Sequence, residues 1–174
     1  METLKNRDLK KEAQEELTKN LQWVLAKEEL SEETRKNYTL VLGKTYCELE
    51  QFTKASQCLE NYLDSSSSLP HEGEALLLLS MCYEAMEGEN ERFILTTKKA
   101  LSYASNRGVL LAKLFNAHLK TDNWDSAADY LFQSAYEEKY PIHFDNQLWL
   151  ADFYYKKAFS NPQDSRSEEH TSEL

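Results

Sequence analysis

The chain has 174 residues but only 4 Gly and 3 Pro, whereas a β or α/β fold of this size needs many more turn-forming residues. Hydrophobic residues make up 41% of the chain, which is enough apolar bulk for a core, so the composition predicts an all-α protein. The formal net charge of −10 disfavours nonspecific binding to phosphate backbones, and we expect no nucleic-acid partner.

The first predicted element is a long N-terminal helix. Apolar residues recur at helical spacing through Asp8–Glu29, and Ser31 then stands where it can cap the next helix. Trp23 lies off the main apolar stripe, and we interpret it as packing on the first of the repeated units described next, with an exposed anchor as the alternative. Residues 1–30 are therefore predicted to form a helical region that packs on the rest of the domain.

A repeated pattern with a period of about 36 residues follows this helix. Each half of the pattern places apolar residues at i, i+3, i+4 and i+7, which is the buried face of one helix, so each copy predicts a helical hairpin. The copies cover about residues 37–70, 74–106, 109–142 and, in part, 145–160. The first copy reads Leu42-Gly43-x-x-Tyr46-x-x-Leu49-x-x-Phe52-x-x-Ala55-x-x-x-Leu59, and Trp124-x-x-Ala127-x-x-x-Leu131 repeats its second half two periods later.

Polar segments separate the predicted helices. Asp122 or Asn123 can cap the helix that follows them. Short polar turns divide each hairpin at Glu50-Gln51, Glu87–Asn90 and Thr121–Asn123. Longer connectors rich in Ser, Pro and Gly separate the hairpins at Ser65–Pro70, Ser105–Gly108 and Tyr140–Asp145.

Small side chains stand where the two helices of a hairpin would meet, at Gly43, Ala55 and Ala127. This pattern resembles the tetratricopeptide repeat, whose first helix carries Leu-Gly-x-x-Tyr and whose second carries an aromatic, an Ala and a large apolar residue. The second copy departs from the family, since Ser80 replaces the Gly, its turn is about one residue longer, and Phe93 replaces the Ala. The resemblance implies a right-handed solenoid of antiparallel helical hairpins, with about 3.5 repeats within residues 31–160.

The C-terminal residues abandon the repeat pattern. Residues 161–174 are rich in Ser and Glu and have no large apolar side chain before Leu174, which predicts a disordered tail. Arg166–Leu174 also resembles the conceptual translation of a widely used sequencing adapter, so we expect residues 166–174 to be non-native. Since the fourth repeat also lacks a second helix, we expect the native part to be a fragment of a longer reading frame.

The sequence contains no recognised catalytic motif. It has no Gly-rich phosphate loop, no H-E-x-x-H and no G-x-S-x-G, and its four histidines are scattered. His118 stands on the repeat stripe, where we expect a core histidine. Cys47, Cys58 and Cys82 show no C-x-x-C spacing, so we interpret them as free thiols that pack in helices, with a redox role as the less favoured alternative. We therefore expect no enzyme activity, no cofactor and no metal.

The hydropathy of the sequence indicates whether the chain is expected to enter a membrane. The longest uninterrupted apolar run is Ala75–Leu79, far shorter than the roughly 20 residues that cross a bilayer. Met1–Lys11 is charged throughout and does not resemble a secretory signal. We expect no membrane association and a cytoplasmic location, with the nucleus as the alternative.

A binding surface is implied by the resemblance to tetratricopeptide repeats. The first helices of such arrays line a concave groove that holds a peptide or a partner helix. Asparagine amides can hold a peptide backbone, lysines a carboxylate and aliphatic side chains an apolar anchor. The groove residues are predicted from their positions relative to Gly43 and to the residues that correspond to Gly43 in the later copies of the repeat. They are Asn37, Leu40, Lys44, Leu77, Ala112, Asn116, Leu119, Lys120, Asp152 and Tyr155.

One subclass of these repeats clamps an acidic C-terminus through Lys and Asn on the first helices. Lys44 stands at one clamp position, but Leu40, Leu78 and Val109 occupy others, so we do not expect a carboxylate clamp.

These observations favour a noncatalytic scaffold that binds a protein or peptide within a larger assembly. Two alternatives remain open. The first is a small acidic secretion-type chaperone, since proteins of about this length with an N-terminal helix and three such repeats serve bacterial export. The second is the regulatory repeat region of an enzyme whose catalytic domain is missing.

Overall fold

The computed structural model describes residues 2–65, 69–137 and 144–160. These residues contain no strand and form eight helices, which confirms the predicted all-α class. The predicted tail at 161–174, and the connector residues at 66–68 and 138–143, lie outside the described residues. The helices are α1 (Glu2–Leu25), α2 (Glu32–Glu48), α3 (Phe52–Asp64), α4 (Glu72–Ala85), α5 (Asn90–Ala100), α6 (Arg107–Leu119), α7 (Trp124–Ala135) and α8 (Phe144–Ser160).

The chain divides into two compact units, Met1–Ser105 and Asn106–Leu174. Their boundary falls in the predicted connector Ser105–Gly108. Gly108 itself is buried inside α6, so the connector ends earlier than the sequence predicted. In this described part of the chain, none of the helices combines the length and apolar character needed to cross a bilayer.

Within the first unit, successive helices pack as pairs. α2 packs on α3 and α4 packs on α5, while α4 also contacts both α3 and α2. Residues 49–51 separate the first pair of helices and residues 86–89 the second, so the longer turn predicted for the second repeat is confirmed.

Small side chains lie between the paired helices of this unit. A Cβ added to Gly43 would lie 3.0 Å from the Cγ and Cδ2 atoms of Leu59, so α2 and α3 are in close contact there. Ser80 occupies the corresponding position on α4, and its Oγ lies 2.7 Å from the Oγ1 of Thr97 on α5. Both hydroxyls are buried, and this hydrogen bond satisfies them where the helices meet.

The N-terminal helix α1 packs on α2. Its ends differ from the predicted Asp8–Glu29. Ser31 caps α2 as expected, because its Oγ accepts a hydrogen bond from the Thr34 amide at 3.2 Å. Trp23 is 64% exposed, with the Lys27 ammonium 4.1 Å from its ring centroid, so the interpretation that Trp23 packs on the first repeat is wrong.

Within the second unit, α6 packs on α7, and α7 contacts α8. Phe115, Ala127 and Leu131 form a buried cluster, against which Trp149 of α8 packs. His118 is buried and stacks on Tyr130 with ring centroids 5.3 Å apart, which confirms the predicted core histidine.

The turn within each helix pair contains a residue in the left-handed region of backbone space. These residues are Glu50 with φ 57°, Gly88 with φ 82° and Asp122 with φ 53°. Each lies two residues before the second helix of its pair. Gly is favoured at such helix ends, so Glu50 and Asp122 hold a conformation that side chains rarely adopt. Asn123 then caps α7, since its Oδ1 accepts a hydrogen bond from the Ser126 amide.

Candidate functional site

The predicted groove residues of the first unit lie on α2 and α4. Asn37 is exposed, and Lys44 and Leu77 are half-buried. Leu40 is only 3% exposed and belongs to the core, so it is not available to a ligand. The reason is helical geometry: Leu40 lies three residues before Gly43 and shares its buried face.

Lys44 has a partner within the first unit. Its ammonium lies 2.7 Å from a carboxylate oxygen of Glu74, which joins α2 to α4. The His71 imidazole lies 3.7 Å from the other oxygen of the same carboxylate. Because these side chains are half-exposed, the ion pair contributes at most about 1 kcal/mol to stability. A ligand carboxylate at Lys44 would have to compete with Glu74.

On α6, the predicted groove residues form an open stripe. Asn116 and Lys120 are exposed, and Ala112 and Leu119 are half-buried beside them. Leu119 also packs against the cluster of Phe115 and its neighbours. These residues stand at helical spacings of three, four and seven, so amide, ammonium and apolar groups share one face of α6.

The predicted groove residues of α8 are both exposed. The Asp152 carboxylate forms an ion pair with Lys156, one turn later, at 2.6 Å. The Tyr155 ring contacts the Phe159 ring, with centroids 4.5 Å apart. Neither residue reaches the core of its unit, so both are available on the surface.

An aromatic cleft between α7 and α8 was not predicted as a site from the sequence. The ring of Trp149 stacks on Phe153 at 5.5 Å and on Trp124 at 6.4 Å. Trp124 was singled out only as the aromatic position of the repeat pattern, and it is 48% exposed. The spacing of Trp149 and Phe153, four residues apart, could have indicated an aromatic face on α8. The cleft has a volume of about 420 Å³ and is lined by Trp124, Asp125, Trp149, Asp152, Phe153, Lys156 and Lys157.

Charged side chains at this cleft are paired. The Lys157 ammonium donates a hydrogen bond to a carboxylate oxygen of Asp125 at 2.5 Å. This bond and the charge of Asp125 raise the pKa of Lys157 above its ordinary value. Since Lys156 forms an ion pair with Asp152, each of the two lysines neutralises the charge of one carboxylate. The aromatic surface, rather than a net charge, is therefore the chemical feature that this cleft offers to a ligand.

Across the described ranges, no three His, Cys, Asp or Glu side chains are grouped so that they could hold a metal ion. The exposed amides, half-buried aliphatic side chains and aromatic cleft described above are groups that can bind a ligand.

No protein-family model matches the chain, and no curated protein matches it in sequence.

Proposed function

We propose that this protein is a noncatalytic protein-interaction scaffold of the tetratricopeptide type, which binds a peptide or a partner helix on the exposed faces of its first helices. The observation that carries the proposal is the open stripe on α6, where exposed Asn116 and Lys120 stand beside half-buried Ala112 and Leu119. Such a stripe can bond a peptide backbone and hold an apolar side chain at the same time.

The repeat architecture is supported by features that recur in each helix pair. Glu50, Gly88 and Asp122 have positive φ at the same place, two residues before the second helix of their pair. Gly43 and Ser80 lie one period apart and both stand at close contacts between paired helices. A unit that is repeated with the same turn and the same contact is typical of helical-hairpin arrays.

The test uses a random peptide library screened against the intact chain, followed by fluorescence anisotropy with the selected peptide. Asn116→Ala should weaken binding by about fivefold, the effect of one lost hydrogen bond. Leu95→Ala is the matched control, because Leu95 is exposed on α5, the second helix of its pair. If Leu95→Ala weakens binding as much as Asn116→Ala, or if no peptide is selected, the proposal is wrong.

A further inference from the structure

Two cysteine sulfur atoms lie next to one another in the first unit. The Sγ of Cys47 on α2 is 3.3 Å from the Sγ of Cys82 on α4, although the residues are 35 positions apart in sequence. At this distance one thiol donates a hydrogen bond to the other. A disulfide needs sulfur atoms about 2.0 Å apart, so a side-chain movement of about 1 Å would allow the bond to form.

The two thiols differ in their access to solvent. Cys82 is 0% exposed, whereas Cys47 is half-buried and can be reached by a small reagent. Burial disfavours the charged thiolate, and Cys82 is the more deeply buried residue of the pair.

The hydrogen bond changes the pKa values of the two thiols in opposite directions, so the two sulfur atoms differ in reactivity. It lowers the pKa of Cys47, while partial burial and the neighbouring charge of Glu48 act in the opposite direction. For Cys82, the bond to Cys47 raises the pKa, and burial adds to this effect. Because the thiolate is the nucleophilic form of cysteine, we infer that Cys47 reacts with an oxidant before Cys82 does.

Cys58 provides an internal comparison. It lies on α3, is half-buried like Cys47, and burial raises its pKa. Its thiol is thus similarly exposed but is held in its protonated, less reactive form.

We propose that Cys47 and Cys82 form an oxidation site for a small hydroperoxide, which joins α2 to α4 by a disulfide. The Cys47 thiolate attacks hydrogen peroxide, breaks the O–O bond and becomes a sulfenic acid, with release of hydroxide. Cys82 then gives up its proton and attacks the Cys47 sulfur, and water leaves as the S–S bond forms. Overall, two thiols and one peroxide yield one disulfide and two waters.

The site does not depend on the proposed binding function. Closing the loop between residues 47 and 82 restricts the unfolded chain, so the disulfide should raise the melting temperature by about 5–10 °C. Geometry supports this expectation, since the sulfurs are adjacent in the folded, reduced protein.

The experiment treats the intact, fully reduced chain with hydrogen peroxide, blocks the remaining thiols and maps the digested protein by mass spectrometry. We expect a linked pair of peptides that contain Cys47 and Cys82, with the mass of two hydrogens lost and Cys58 still free. Cys58→Ala is the matched control and should form the same disulfide at the same rate. Cys82→Ser, which keeps a hydrogen-bonding group beside Cys47, should instead accumulate a sulfenic acid at Cys47, which dimedone traps.

Several outcomes would overturn the proposal. A disulfide that includes Cys58, a linkage between two chains, or dimedone labelling at Cys58 rather than Cys47 would each show that the 3.3 Å pair is not the reactive site. A fall in melting temperature on oxidation would show that the native packing does not accommodate the bond. The peptide map of the wild-type protein decides the question even if Cys82→Ser fails to fold.

Discussion

Gly43 occupies a position on α2 that has no room for a side chain. A Cβ there would lie 3.0 Å from two atoms of Leu59 and 3.4 Å from the Cβ of Cys58. Carbon atoms in ordinary contact are about 3.5–4.0 Å apart, so a larger residue has to displace α3 or force Leu59 from its rotamer. Leu59 is fully buried and has no path into solvent.

Gly43→Leu should therefore lower the free energy of unfolding by about 3 kcal/mol, since overpacking outweighs the higher helix propensity of Leu. Urea denaturation followed by circular dichroism measures the change. Val41→Leu is the matched control, because Val41 lies on the same helix and is partly exposed, and it should alter stability by less than about 0.5 kcal/mol. Wild-type stability in Gly43→Leu would contradict the close contact between α2 and α3.

At the residue scale, the sequence does not define precisely enough at which angle around its helix each side chain lies. Each residue turns an α-helix by about 100°, so a small error in counting moves a side chain from the surface to the core. Leu40 was predicted to face a groove but lies in the core. Cys47 and Cys82 are adjacent because α2 and α4 come into contact. A local sequence motif cannot predict a contact between residues 35 positions apart.

At the scale of elements, Arg35 links the end of α1 to α2. Its guanidinium donates hydrogen bonds to the carbonyl oxygen of Leu25 at 2.7 Å and to that of Lys27 at 2.9 Å. The last carbonyls of a helix have no partner within the helix, so Arg35 satisfies groups that would otherwise need water. Among the α1 side chains whose burial the structure describes, Leu21 and Thr18 are buried, and this polar link adds to their packing.

We expect Arg35→Ala to lower the free energy of unfolding by about 1–2 kcal/mol and to increase hydrogen exchange in the last turn of α1. Arg35→Lys should recover only part of the loss, since one ammonium cannot match the two arms of the guanidinium. Lys36→Ala serves as the control, because Lys36 pairs with Glu32 on its own helix. Equal protection of α1 in Arg35→Ala and wild type would show that the link contributes nothing.

The same link explains why one helix end was predicted less well than the turns. Ser31 and Asn123 are local capping signals, and both cap the helices that follow them, as predicted. By contrast, the charged residues after Leu25 favour a helix and give no signal for a helix end, so α1 was predicted to continue to Glu29. α1 ends at Leu25, where Arg35 binds its terminal carbonyls, and this contact comes from outside the segment.

At the scale of the whole molecule, the period of the pattern predicted the order of helices, because every copy repeats the same apolar spacing. It could not predict the division at Ser105, since nothing in the pattern distinguishes one connector from another. The unit Met1–Ser105 contains two complete helix pairs with their own buried side chains. That core includes Leu40, Leu42, Tyr46, Ala55, Leu59, Tyr62, Ala75, Leu76, Leu79, Cys82, Tyr83, Phe93 and Ala100.

A chain of residues 1–105 should therefore fold by itself and unfold cooperatively, with a free energy of about 5 kcal/mol. The matched control is a chain of residues 1–89, which lacks α5 and leaves Ser80 of α4 without its hydrogen-bond partner Thr97. It should unfold at a clearly lower urea concentration, with a broader transition, when both are followed by circular dichroism. If the two chains unfold at the same concentration, α5 does not complete the core of this unit. If residues 1–105 show no cooperative transition, the core of Met1–Ser105 is insufficient for independent folding.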